Sequence, residues 1–235
     1  MNRLRVATYN VHKCRGMDWR TRVPRVLKVM HELRADVIAC QEILASQADC
    51  LATGLNMRHV FGEARTLNGE PYGNAVFSRL PIIDSEQFDL TVQGREPRRC
   101  LRVSLDPGPI QFFALHLGTS FYERRHQAAR LLSKSVLERP DFKGSRIVVG
   151  DFNEWTKGLA TEMLSRHLQS ADLAVHLNRS RTYPGLLPFL HLDHVYYDSQ
   201  FRLKEMGLHR TPAALVASDH LPLVACFTTN LDCRS

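Results

Sequence analysis

Between residues 58 and 117 the chain runs strand after strand. Five short segments rich in β-branched and aromatic residues, 58–61, 73–78, 82–90, 100–105 and 110–117, are separated by turns containing Gly, Pro or Asp. A doubly wound parallel sheet needs a helix between successive strands, and this stretch does not supply them. The pattern therefore predicts two mostly antiparallel sheets packed together.

Helical spacing is confined to the flanks of this block and to one segment after it. Val23, Val26, Leu27, Met30 and Leu33 recur on one face, predicting an amphipathic helix over about 20–34. A second helix is expected around 46–54, a third over 122–137 with Ala128, Leu131, Leu132 and Val136 on one side, and a fourth over 157–167. Further strands are expected at 4–11, 36–42, 146–150, 195–197, 201–206 and 223–227. The class is α/β in the α+β sense, with the helices outside the two sheets. No linker-like composition or repeat divides residues 1–235, so a single domain is expected.

With 44% hydrophobic residues the chain can bury a core without disulfides. Its six cysteines form no C-x-x-C pair or zinc-ligand spacing, and Cys40 and Cys226 sit in apolar runs as core residues do. The opening residues run directly into a strand pattern with no apolar leader, and no apolar run is long enough to span a bilayer. A cytoplasmic protein is expected. The net charge of +7 favours anionic partners, and Arg95, Arg98, Arg99 and Arg102 make the densest basic stretch. That stretch reads equally as a solvated edge or as a phosphate-facing patch.

The informative residues are those on which the apolar runs stop. Asn10 follows Thr-Tyr, Glu42 follows Cys-Gln, His116 follows Ala-Leu, and Asp151 and Asn153 follow Val-Val-Gly. Asp193 and Asp219 sit at two further strand ends, with His220 beside the latter. Singly, each is an ordinary turn or cap residue. Together, four carboxylates, two amides and two histidines at the ends of one core would repel or go unsatisfied without a cation and an anionic ligand. Hard oxygen donors without thiolates point to Mg²⁺ or Mn²⁺, and the set suits metal-assisted hydrolysis of a phosphate ester.

Those same residues carry a resemblance. Thr8-Tyr9-Asn10, Gln41-Glu42, Gly73-Asn74-Ala75-Val76-Phe77-Ser78-Arg79, His116-Leu117, Gly150-Asp151-Phe152-Asn153, Leu192-Asp193-His194-Val195 and Ser218-Asp219-His220-Leu221-Pro222 occur in this order. The series resembles the endonuclease/exonuclease/phosphatase superfamily, which includes DNase I-like nucleases, abasic-site endonucleases, sphingomyelinases and inositol-polyphosphate phosphatases. The resemblance implies a four-layer α/β sandwich with the active site at one end of the two sheets. It implies Glu42 as the principal metal ligand with Asn10 and Asp219 beside it, and Asp151 as the carboxylate that positions and deprotonates the attacking water. It implies Asn153 on a phosphate oxygen, His220 at the phosphate, Asp193 orienting His220, and His116 as the second histidine. Whether Asp151 or a histidine is the formal base stays open.

Glu96-Pro97-Arg98, His116-Leu117-Gly118 with Glu123-Arg124 and Gln127, and Arg181-Thr182-Tyr183-Pro184 are similar to a bacterial branch of that superfamily whose substrate is unassigned. That likeness makes Arg98 and Arg181 candidate substrate-binding residues, each also readable as a surface or internally paired arginine. The abasic-site enzymes carry a tyrosine where His116 stands, and the secreted nucleases carry disulfides. The expectation is a monomeric Mg²⁺- or Mn²⁺-dependent phosphoesterase acting on a small or lipid-derived phosphodiester or phosphomonoester. A DNA or RNA nuclease is the second reading, and a binding protein that lost the chemistry the third. A membrane role would be peripheral, and the apolar run 186–190 reads as core rather than as a lipid-touching loop.

Overall fold

The structure is a computed structural model that describes residues 2–108, 110–154, 158–171, 182–183 and 190–229. One set of strands comprises β1 (Asn2–Asn10), β2 (Val37–Leu44), β3 (Arg58–Leu67), β4 (Glu70–Ser78), β11 (Phe201–Leu208) and β12 (Leu223–Thr229). They form a six-stranded sheet in the order β11-β12-β1-β2-β4-β3. The other set comprises β5 (Ile82–Asp89), β6 (Arg99–Leu105), β7 (Ile110–His116), β8 (Ser145–Asp151), β9 (Gln169–Ser170) and β10 (Asp193–Tyr197). They form a second six-stranded sheet in the order β5-β6-β7-β8-β10-β9. Neighbours are antiparallel except for one central parallel pair in each sheet, β1 with β2 and β7 with β8. The two sheets are thus mixed, though mainly antiparallel as the strand pattern predicts.

Strand alternation decides what packs where. On β1, Leu4 and Val6 face the second sheet, while Ala7 and Tyr9 face the helices. The inter-sheet layer joins Leu4, Val6, Val37 and Ala39 to Phe112, Ala114, Ile147 and Val149. Outside the first sheet lie α1 (Val23–Leu33), α2 (Ala45–Leu55) and α5 (Pro212–Ala217), packed on Tyr9, Ile38 and Phe77. Outside the second lie α3 (Phe121–Leu131) and α4 (Leu159–Ser165), packed on Phe113, Leu115 and Val148. Each aliphatic side chain taken out of water contributes about 1.5–3 kcal/mol, so three such layers dominate the stability. The order helix, sheet, sheet, helix is the four-layer sandwich.

Two expectations are corrected. The third helix stops at Leu131 rather than 137, because the chain turns back where Leu137 N–H donates to Leu131 O at 3.0 Å. Val136 and Leu137 are buried, so the apolar spacing there reports burial rather than helix. Helix α5 was not anticipated. Its six residues are too few for a periodicity, and it depends on Pro212 in its first turn and on Thr211, whose hydroxyl accepts from Ala214 N–H at 3.2 Å. No helix among the described residues is long and apolar enough to cross a membrane.

The pairing of β7 with β8 leaves no room for a side chain at Gly150. Its φ is +151°, and a Cβ there would lie 2.0 Å from the Leu115 carbonyl oxygen. Gly150→Ala is expected to cost about 1–3 kcal/mol in urea unfolding by forcing the strands apart. An unchanged midpoint would mean that the strand pair has slack the geometry does not suggest.

Candidate active site

The parallel pairs end at the same level and face each other across the sandwich. On β1, Asn10 continues the inward face of Val6 and Thr8. On β7 and β8, His116 and Asp151 are direct register partners, and Asp193 of β10 is the partner of Asp151 on its other side. Glu42 arrives by a different route. The register of β2 against β4 shifts between Cys40 and Ile43, and Glu42 sits at φ +55°. Unbroken alternation would turn Ile43 inward with Val37 and Ala39; the bulge returns it to the helix layer and delivers the Glu42 carboxylate to Asn10 and Lys13.

The side chains form one connected network. Asn10 Nδ2 donates to Glu42 Oε1 at 3.1 Å and to Asp151 Oδ2 at 3.0 Å, joining the two sheets. Lys13 Nζ donates to Glu42 Oε2 at 3.3 Å. Asn153, at φ +49°, donates its backbone N–H to Asp151 Oδ1 at 2.8 Å. The Asn153 side-chain nitrogen donates to Leu117 O at 2.9 Å and lies 3.0 Å from His116 Nε2. Since that nitrogen is a donor, His116 Nε2 is the acceptor and its proton sits on Nδ1. His220 Nδ1 donates to Asp193 Oδ2 at 2.9 Å, and its Nε2 lies 3.6 Å from Asp151 Oδ2. Ser218, just beyond α5, holds this segment against β1 by donating to Asn10 O at 2.7 Å.

Two buried histidines end in opposite charge states. Burial disfavours the cation in both. For His116, burial and then the Arg98 cation outweigh Asp151 and Glu42, and its pKa falls to about 4. For His220, burial is overcome by Asp193, Asp151, the Asp193 hydrogen bond and Asp219, and its pKa rises to about 10. Near neutrality His116 is a neutral imidazole and His220 a cation. Burial would raise Glu42, but His116, the Asn10 bond and Lys13 outweigh it and hold the carboxylate well below the usual range.

Two groups of ligand atoms are candidates for a cation. Asp151, Asp193 and His220 place one ligand atom each within 4.8 Å of one another. There, however, His220 is already the positive partner of both carboxylates, and Asp193 is wholly buried. Glu42 and Asp219 fit better: their side chains are 22% and 27% exposed and offer hard oxygens to an incoming hydrated ion. Asn10 presents its amide nitrogen to the carboxylates while its oxygen accepts from His12 N–H at 3.0 Å. Ligation through that oxygen requires it to leave or share His12.

Eight residues singled out in the sequence thus meet at one end: Asn10, Glu42, His116, Asp151, Asn153, Asp193, Asp219 and His220. Arg98 is buried beside them and acts on His116 through its charge; its Nη2 lies 3.3 Å from Glu96, and its Nε has no hydrogen-bond partner among the described residues. Arg181 lies outside the described residues, as does most of the run 186–190. The basic stretch does not form a patch. Arg99 pairs with Asp89, and Arg102 is buried between Asp84 and Gln111 over the Phe142 ring, leaving Arg95 exposed.

Sequence reasoning passed over four neighbours. His12 Nδ1 lies 3.5 Å from Asp219, and Lys13 faces Glu42; both follow Asn10 within three residues, which was their only signal. Tyr72 adjoins Glu42, and burial followed by that negative charge raises its phenol well above the ordinary value. The Tyr183 ring centre is 4.9 Å from that of His220, and burial with Asp219, Glu42 and Asp151 raises its phenol also.

A helix-flanked pair of six-stranded sheets with this polar network at one end defines a DNase I-like sandwich. The chain belongs to the endonuclease/exonuclease/phosphatase family, whose sequence model matches residues 7–220. It is 28% identical over 243 residues to the uncharacterized protein YbhP of Escherichia coli K12, covering 94% of each chain. A mannosyl-6-phosphatase from Bacteroides thetaiotaomicron superposes with a TM-score of 0.80 at 18% identity, over 96% of this chain and 99% of that one. The human nocturnin catalytic domain with bound sulfate superposes with a TM-score of 0.80 at 19% identity, over 97% of this chain and 95% of that one.

The split between the histidines is directly measurable. In chelator-treated protein, imidazole NMR titration is expected to place one buried histidine near pH 4, lost in His116→Gln, and another near pH 10, lost in His220→Gln. Two ordinary titrations near 6.5 would contradict the described surroundings.

Proposed function

We propose that the protein is a divalent-metal-dependent phosphoesterase acting on a small or lipid-derived phosphodiester or phosphomonoester. The observation that carries this reading is the buried His220 imidazole, held on one side by Asp193 at 2.9 Å and on the other by Asp151 at 3.6 Å. A cation fixed beside a carboxylate that can take a proton is what in-line hydrolysis of a phosphate ester needs. Asp151 receives a proton from the attacking water as the new bond to phosphorus forms. His220 donates a hydrogen bond to a phosphoryl oxygen, and the departing ester oxygen takes a proton from it or from water. Asp193 fixes the His220 tautomer by occupying Nδ1. Asn153 exchanges its contact with His116 Nε2 for a phosphate oxygen, and Arg98 lends the pocket positive charge.

Glu42, with Asn10 and Asp219 beside it, would hold a divalent cation, which would supply positive charge to offset that of the phosphate ester. Mg²⁺ or Mn²⁺ suits that donor set better than zinc. The internal pairing of Arg99 and Arg102 weighs against a nucleic-acid groove at the β5–β6 edge.

Turnover of bis(p-nitrophenyl) phosphate and p-nitrophenyl phosphate in Mg²⁺ or Mn²⁺ tests the reading, with chelator as control. Asp151→Asn and His220→Ala are each expected to lose about 10²–10⁴-fold in kcat with a cooperative melt retained. Near-normal turnover in either variant removes that residue from the mechanism. Glu42→Gln should shift the Mg²⁺ titration to higher concentration, and an unmoved titration would discard its assignment as the main ligand. Metal-dependent nicking of supercoiled plasmid, lost in His220→Ala, would move the substrate to nucleic acid.

A further inference from the structure

The large exposed hydrophobic side chains are concentrated on segments that leave the site end of the sandwich. Six large hydrophobic side chains among the described residues stand out to solvent: Met17, Trp19, Ile83, Phe121, Tyr122 and Val216. Ile83 is near the start of β5, whose partner there is Leu105 at the far end of the sandwich. The other five flank the site. Phe121 and Tyr122 open α3, five residues beyond His116, and are 58% and 55% exposed. Met17, Trp19 and Val216 are 38%, 71% and 42% exposed, on the loop after β1 that carries His12 and Lys13 and on α5, which ends three residues before His220. Burying surface of this kind is worth most to a protein that meets an apolar phase.

The loop that carries Trp19 is built rather than slack. Arg15 and Thr21 bridge its base, and Gly16 N–H donates to Arg20 O at 3.2 Å. The Arg25 guanidinium clasps both Asp18 oxygens at 3.0 and 2.7 Å and donates to Val216 O at 2.8 Å, while Met17 N–H also donates to Val216 O. A Cβ on Gly16 would lie 2.1 Å from Arg25 Nη1, so the clasp requires glycine. Trp19 itself stands at φ +61°, a conformation bulky residues seldom adopt. The fold holds an exposed tryptophan in a strained backbone at the rim of the site, where nothing in the core benefits from it.

Basic residues predominate on this loop. Asp18, the only acid between residues 11 and 31, is taken up by Arg25. Arg20 and Arg22 are exposed on the same loop, and Arg15 lies over the indole with its guanidinium carbon 4.6 Å from the ring centre. Arg95 and Arg125 are exposed across the site. Tryptophan and methionine at the tip with arginines behind them match the boundary of an anionic bilayer, where indole sits at headgroup level and each cation gains from the negative surface. A nucleic acid would use the arginines and an indole face but would gain nothing from Met17 and Val216.

We infer that the catalytic end docks on an anionic phospholipid surface through Met17, Trp19 and Val216, backed by Arg20 and Arg22. Docking turns the Glu42–His220 pocket toward the headgroup layer. Resting on the phosphoesterase reading, this makes the substrate a lipid-borne phosphate ester.

The test is co-sedimentation of the full chain with vesicles of phosphatidylglycerol and phosphatidylcholine, against phosphatidylcholine alone. Trp19 emission is read as the difference between wild type and Trp19→Phe. Binding to the anionic vesicles, weakened by salt, with a blue shift of the Trp19 emission is expected. The Met17→Ser/Trp19→Ala double variant should lose at least about ten-fold in bound fraction with its thermal melt retained. Undiminished binding by that variant, or no vesicle binding by the wild type, overturns the inference, as does quenching of Trp19 by a single-stranded oligonucleotide without any vesicle binding. Vesicle binding without hydrolysis of the chromogenic esters leaves docking standing and removes the phosphoesterase reading; the reverse result removes docking alone.

Discussion

The amide of Asn10 is the contact on which the polar end of the sandwich depends. It donates to Glu42 from the first sheet and to Asp151 from the second, so two carboxylates that would repel across the sandwich share one donor. Just beneath it, Thr8 and Gln41 hydrogen-bond to each other with no exposure to solvent. That neutral pair separates the aliphatic inter-sheet layer from the charged end. Asp151 is 1% exposed and would be costly to bury alone. Asn10 and the Asn153 backbone donate to it and the His220 imidazolium lies 3.6 Å away, so the polar network offsets the burial of that charge.

Backbone strain gathers at the same place. Glu42 and Asn153 have positive φ, as do His12 and Lys13 directly after β1. Each such residue costs about 1–3 kcal/mol, a cost tolerable only where surrounding structure fixes it. Here the fixing is done by strands that must stop together. Each chain leaving a central strand turns sharply rather than continuing outward, and each turn brings a side chain back over the sheet ends. Regular geometry would have pointed Glu42 elsewhere.

Strand alternation explains why so much of this was legible from residue order. The inward face of β1 reads Leu4, Val6, Thr8, Asn10, and that of β8 reads Ile147, Val149, Asp151, so the places where polarity enters the core mark the site directly. What stayed hidden involved events that alternation cannot carry. The bulge before Ile43 changes direction by one residue without a compositional sign. The basic run from Arg95 to Arg102 looks continuous in sequence, yet its arginines leave β6 toward Asp89, Asp84 and the Phe142 ring. Tyr183 adjoins His220 only through the return of a distant segment, fixed where Leu221 N–H donates to Thr182 O at 2.9 Å.

The difference in charge between the two histidines follows from what stands on each side of Asp151. Both lie within 3.7 Å of the same carboxylate oxygen, so that oxygen cannot distinguish them. The difference comes from second neighbours: a buried arginine near His116, and a fully buried aspartate bonded to His220. Asp193 Oδ1 has no hydrogen-bond partner among the described residues, which leaves the imidazolium as the bonded partner of that carboxylate. Neutralising His220 would strand the Asp193 charge in a medium that cannot solvate it, and charging His116 would set it against Arg98. Each state is therefore held by a penalty on its alternative.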